Sequence, residues 1–82
     1  MKKITAHIAK KEYKQVNIDS DFIRLDSLLK LVNAVMTGGH AKIVIQGGEV
    51  KVNGEVCTMR GKKLRDGDTA SVPFMNIVVK KR

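Results

Sequence analysis

Between Ile23 and Asp68 the apolar residues change from helical to strand spacing, and glycines punctuate the changes. Leu25, Leu28, Leu29, Val32, Val35 and Met36 recur at i, i+3, i+4 and i+7 and predict a first helix. Asp21 or a neighbour is its expected cap, Asp26 falls in its first turn, and Thr37-Gly38-Gly39 is its expected end. A second short helix is expected over about His40 to Gln46, with Ala41, Val44 and Ile45 inward and Gly47-Gly48 as its stop. Two strands should follow, Glu49–Val52 and Glu55–Thr58, with Val50, Val52 and Val56 as apolar anchors. Asn53-Gly54 joins them, a strong two-residue hairpin signal because both turn positions favour positive φ. Arg60-Gly61-Lys62-Lys63-Leu64-Arg65 reads as a basic connection or strand. Asp66-Gly67 then turns the chain into a strand, Thr69–Val72, limited by Pro73. Ile77-Val78-Val79 predicts the last strand, with Lys80-Lys81-Arg82 as a frayed tail.

Before this run, Ile4, Ala6 and Ile8 alternate with polar residues, Lys10-Lys11-Glu12 reads as a loop, and Gln15 to Asp19 alternates again. These two segments suggest a hairpin. The expected fold class is therefore α+β: two short helices packed on a small, mainly antiparallel sheet, with an extra N-terminal β-hairpin.

Eighty-two residues make one compact domain that buries only about 60–65% of its unfolded surface, too little for a deep, water-excluding pocket. Only Tyr13, Phe22 and Phe74 are aromatic, so the core must be aliphatic. Cys57 stands alone, which excludes an internal disulfide and suggests a reducing cytoplasm; a buried or half-buried strand position suits it. No apolar run approaches the ~20 residues of a membrane span, and no signal-peptide hydrophobic stretch follows the basic start.

The net charge of +8 is unevenly spread. Residues 1–16 carry five lysines and one acid, residues 17–58 four basic residues and five acids, and residues 59–82 seven basic residues and two acids. Basic ends around a near-neutral helical middle attract polyanions. No basic stretch shows an amphipathic helical face, which argues against a membrane surface.

No catalytic constellation is visible. Ser20, Ser27 and Ser71 have no positioned base beside them in sequence. Asp66 and Asp68 around Gly67 are a turn signature, and His7, His40 and Cys57 are too few for a closed zinc site. No enzyme, cofactor or metal is expected.

Arg24-Leu25-Asp26, Thr37-Gly38-Gly39-His40-Ala41-Lys42, Ile45-Gln46-Gly47-Gly48, Val50-Lys51-Val52-Asn53-Gly54 and Gly67-Asp68 come in an order and at spacings that resemble the RNA-binding domain of ribosomal protein S-four type, the αL motif. The resemblance covers roughly residues 22–72. With Asn-Gly-Glu and Arg-Gly-Lys-Lys-Leu, it is most similar to the small stand-alone bacterial proteins of that family. It implies a non-catalytic protein that binds structured RNA, ribosomal RNA before transfer RNA, at the ribosome or an assembly intermediate. A monomer is expected. Residues 20–72 would form the RNA-binding domain, 1–19 an N-terminal strand or hairpin, and 73–82 a C-terminal strand and basic tail. Gly38 stands where many members carry an arginine that touches RNA, so that contact is not carried over.

The candidate RNA-binding residues are Arg24, His40, Lys42, Lys51, Asn53, Arg60, Lys62 and Lys63. Arg24 opens a helix, where a cation is disfavoured, so it either meets a phosphate or pairs with Asp21 or Asp26. Lys42 lies on the polar face of the second helix, near a helix start able to help hold a phosphate. His40 beside it either meets a base or is simply solvated. Lys51 alternates outward between Val50 and Val52. Asn53 is a turn residue first. Arg60, Lys62 and Lys63 are the strongest electrostatic candidates, with Gly61 allowing close backbone approach; Arg65 either joins them or pairs with Asp66. Too few exposed aromatics are expected for stacking on single strands. The rival readings are a β-grasp carrier or protein-interaction module, which would end in Gly-Gly rather than Lys80-Lys81-Arg82, and a generic polyanion or DNA binder, for which the second helix offers only His40, Lys42 and Gln46.

Overall fold

The structure, a computed structural model, describes residues 11–82. The first arm of the expected N-terminal hairpin, Ile4 to Ile8, lies outside the described residues. Within them the chain runs β1 (Glu12–Ile18), β2 (Ile23–Arg24), α1 (Leu25–Leu31), α2 (Gly38–Gln46), β3 (Lys51–Val52), β4 (Glu55–Val56), β5 (Lys63–Leu64), β6 (Thr69–Val72) and β7 (Met75–Lys81). Five strands form one sheet in the order β1-β7-β6-β3-β4, and β2 and β5 form a separate ladder. All pairings are antiparallel except β1 with β7, which is parallel. This is the expected α+β fold.

The first helix is shorter than its apolar spacing suggests. It ends at Leu31 because Asn33 takes a positive φ of 61°, with the Asn33 N–H on the Lys30 carbonyl and the Ala34 N–H on the Leu29 carbonyl. Those two bonds close a Schellman turn, in which asparagine can replace glycine. Val35 still reaches the core from the connection, whereas Met36 is exposed. Thr37-Gly38-Gly39 therefore opens the second helix rather than ending the first. Thr37 is its N-cap, and the His40 N–H donates to Thr37 Oγ1 at 3.1 Å. Gly48, at φ 81°, closes α2 with the same turn, its N–H on the Ile45 carbonyl and the Glu49 N–H on the Val44 carbonyl. Asp21 caps neither helix; it pairs with Lys81 at 2.8 Å.

One cluster forms the core. Leu25, Leu28 and Leu29 of α1 and Ala41 and Ile45 of α2 join Val16 and Ile18 of β1, Val52 of β3, Ala70 and Val72 of β6, and Met75, Ile77 and Val79 of β7. Val35, Val50 and Leu64 complete it. Val44 is only half-buried, and Val56 stands exposed on the edge strand instead of anchoring the core. The hairpin strands are shorter than expected, while Asn53 and Gly54 hold the positive φ values, 51° and 88°, of a tight two-residue turn.

The C-terminal residues are not frayed. The Lys81 N–H donates to Asp66 Oδ1, the Arg82 N–H donates to the Ile18 carbonyl, and Arg82 pairs with Asp19 at 3.3 Å. The parallel β1–β7 pairing explains this, since it brings the end of the chain beside residues 18–21.

Leu64 is fully buried and carries β5, whereas Leu31 is 60% exposed at the end of α1. Leu64→Ala is expected to lower stability by about 2–5 kcal/mol and Leu31→Ala by less than about 0.5 kcal/mol in urea unfolding.

Candidate nucleic-acid interface

The segment from Met59 to Lys63 is held against the start of α1 by its own carbonyl groups. The Leu25 N–H donates to the Lys62 carbonyl at 2.8 Å, and the Asp26 N–H to the Arg60 carbonyl at 3.1 Å. Arg24, the N-cap residue, makes no side-chain cap, so the basic loop satisfies donors that a Ser or Asp would ordinarily take. With its carbonyls turned to the helix, the loop leaves the Arg60, Lys62 and Lys63 side chains exposed.

Arg24 and Lys63 are direct partners across the β2–β5 ladder. Like charges placed opposite one another destabilise a sheet. Each finds local compensation. Arg24 pairs with Asp26 at 3.2 Å, the ion-pair alternative of the two sequence readings, and its side chain remains about half exposed. Its guanidinium also lies beside Gly61, where an added β-carbon would meet Arg24 Nη2 at 3.6 Å. The Lys63 ammonium lies 4.8 Å from the centre of the Phe22 ring, and the Arg65 guanidinium 5.6 Å from it. Arg65 thus joins the cluster, while Asp66 accepts from Lys81. Phe22 escaped the sequence reading because some forty positions separate it from the cations it supports, and no local spacing signals that contact.

Asn53 is stitched to the next strand. Its Oδ1 accepts from the Thr69 N–H at 3.0 Å, and its Nδ2 donates to Asp68 Oδ1 at 3.2 Å. Asp68 Oδ2 accepts from the Arg65 N–H at 2.8 Å. That bond holds the Asp68 carboxyl below the usual carboxylate range, with the Asn53 amide and the Lys62 and Arg65 charges acting the same way and burial opposing them. Asn53 also shares a cleft with Lys62. The structure thus gathers Arg24, Asn53, Arg60, Lys62 and Lys63 at one end of the domain, with Arg65 added.

The remaining candidates stand elsewhere. His40 and Lys42 are exposed on α2, and His40 Nδ1 accepts a long 3.4 Å bond from the Met36 N–H, a helix-start contact. Lys51 projects from β3 on the side opposite buried Val52, in one sheet row with Ser71, Asn76 and Tyr13. Lys11, which donates to Ser71 Oγ at 2.9 Å, lines a shallow pocket with Lys51. Tyr13 and Phe74 are 82% and 53% exposed, so two of the three aromatics face water, against the expectation of few exposed rings. Among the described residues no three His, Cys, Asp or Glu side chains come together as a metal site, and no helix is long and apolar enough to cross a membrane.

The sequence model of the S4 domain matches residues 16–80. The chain belongs to the S4 domain family. The chain is 39% identical over 57 residues to the probable ribosome maturation protein RlbA of Bacillus subtilis (strain 168), covering 70% of this chain and 80% of that protein. The fold is similar to YbcJ from E. coli, whose solution structure is described as revealing an αL motif involved in RNA-binding. The TM-score is 0.63 at 33% sequence identity, covering 80% of this chain and 85% of YbcJ.

Because Asp68 titrates lower in the folded chain than in the unfolded one, its contribution to stability is present at neutral pH. It is lost as pH falls from the ordinary aspartate value, about 3.9, through the depressed folded one. Asp68→Ala is expected to melt at a lower temperature at neutral pH. The difference from the parent should narrow on acidification, as followed by thermal melts across that range.

Proposed function

We propose that this S4 domain protein is a non-catalytic RNA-binding protein that recognises structured RNA, ribosomal RNA before transfer RNA, in ribosome assembly or translation. The opposition of Arg24 and Lys63 across a two-residue ladder, beside Arg60, Lys62 and Arg65, carries the reading. A cluster of cations kept together against its own repulsion gains most when a polyanion arrives. Arginine supplies paired N–H donors to a phosphate and lysine a point charge.

Affinity would come from counterion release at this end of the domain, with the exposed Lys42 on α2 adding a further phosphate contact. Preference for RNA would come from shape, with the rigid Asn53-Gly54 hairpin and the docked loop fitting the backbone of an irregular helix. The relatives support this. RlbA is named a probable ribosome maturation protein, and the αL motif of YbcJ is described as involved in RNA-binding.

The test compares a structured ribosomal RNA fragment with DNA of the same sequence at two salt concentrations. RNA should bind tighter and keep that preference as salt rises; equal binding that vanishes together would sink the reading. Replacing Lys42, Arg60, Lys62 and Lys63 by Gln should weaken RNA binding. It should also flatten the plot of log affinity against log salt by about 3, at roughly 0.7–0.9 per lost phosphate contact. Nothing lies within 4 Å of a β-carbon built at Gly38. Gly38→Arg should therefore fit without disturbing the fold and tighten RNA binding several-fold, steepening the salt dependence by about 1.

A further inference from the structure

We infer that the cleft between the β3–β4 hairpin and the Met59–Lys62 loop is a pocket for one unpaired guanine of the bound RNA. The inference rests on the proposed function, in which the neighbouring loop grips phosphate. The cleft holds about 340 Å³, and Asn53, Glu55, Val56, Cys57, Met59 and Lys62 are among its lining residues. That volume sits at the low end of sites for small organic ligands, which run from about 300 to 1,000 Å³.

Three observations give the cleft its occupant. First, Val56 and Met59 are 57% and 65% exposed and line the same opening. Apolar side chains are suited to the faces of a planar base and to no part of a phosphate. Second, the wall is formed in advance. The Cys57 N–H donates to the Val50 carbonyl at 2.9 Å, and the Met59 carbonyl accepts from both the Lys62 N–H at 3.1 Å and Cys57 Sγ at 3.7 Å. Third, the charges are arranged for a nucleotide. Lys62 lines the cleft and belongs to the docked basic loop, so a phosphate held there leaves its base beside Met59.

Glu55 supplies the specificity. It makes no ion pair among the described residues, and it lines the cleft with Lys62 as the other charged side chain. A carboxylate there repels phosphate oxygens and accepts base N–H groups. The Watson–Crick edge of guanine presents N1–H and the N2 amino group side by side, a match for two carboxylate oxygens. Adenine, cytosine and uracil each set a donor next to an acceptor on that edge. An unpaired residue in a bulge or loop exposes the edge, as paired RNA does not.

The experiment measures affinity for one RNA duplex with no bulge and for the same duplex carrying a single bulged G, A or U. The parent protein should bind the G-bulged duplex about tenfold tighter than the fully paired one, the scale of burying about 50 Å² of apolar surface. The double variant Val56→Thr, Met59→Ala should lose most of that advantage while keeping its affinity for the paired duplex. Glu55→Gln should keep the advantage of a bulge but bind all three bulges alike. Both sets of changes are at exposed side chains, and circular dichroism melts confirm that the fold is retained. Equal binding of bulged and paired duplex by the parent protein overturns the pocket, as does an undiminished advantage in the double variant. A G preference that survives Glu55→Gln overturns the guanine assignment. The triple variant Arg60→Gln, Lys62→Gln, Lys63→Gln reports on the loop separately: unchanged affinity for the paired duplex in that variant refutes the phosphate-gripping reading instead.

Discussion

Two backbone hydrogen bonds organise this protein: Leu25 N–H to the Lys62 carbonyl and Asp26 N–H to the Arg60 carbonyl. The seven-residue helix α1 is too short to be stable on its own, and its first N–H groups need partners. The basic loop provides them from more than thirty positions away. The β2–β5 ladder then fixes the register, and fully buried Leu64 anchors the loop in the core. The same contact that completes the helix turns the loop outward, so the position of the cations is set by folding itself.

The arrangement reverses the ordinary logic of helix starts. A helix N-terminus favours anions, yet here it is ringed by Arg24, Arg60 and Lys62, with Asp26 as the acid in the first turn. Asp26 offsets Arg24, and the face of Phe22 attracts Lys63 and Arg65 without neutralising them. A carboxylate beneath Lys63 would have cancelled its charge. An aromatic ring holds the ammonium in place and leaves that charge available.

Much of this was legible in the chain. Asn53-Gly54 announced its hairpin because few residue pairs tolerate positive φ at both positions, and Gly48 announced the end of α2 because glycine takes a positive φ at low cost. The break after Leu31 was harder to see. Val32, Val35 and Met36 continue the helical spacing, and Asn33 is a weaker stop signal than glycine, so the buried apolar side chain of Val35 reads as helix when it belongs to a connection. Thr37 was legible as a cap only once that break was known. The parallel β1–β7 pairing had no local signal at all. It joins strands from opposite ends of the chain, and strand periodicity reports which face is buried, not which strand lies alongside. For the candidate site, the basic run stood out in composition, while the contacts that aim it, through Phe22, Leu25 and Asp26, are long-range and therefore silent in spacing.

Because carbonyl groups dock the loop and side chains face outward from it, fold and surface charge are separable in this domain. Removing the charge of Arg60, Lys62 or Lys63 leaves the two capping bonds intact, since neither bond uses a side chain. The reverse holds for Leu64 and Asn53, whose side chains lie in the core or stitch the hairpin to β6. Changes there should displace the cations without touching them. A surface built in this way can change its charge pattern by substitution at little structural expense. Gly38, an open position at the start of α2, is an instance: a β-carbon added there meets nothing within 4 Å.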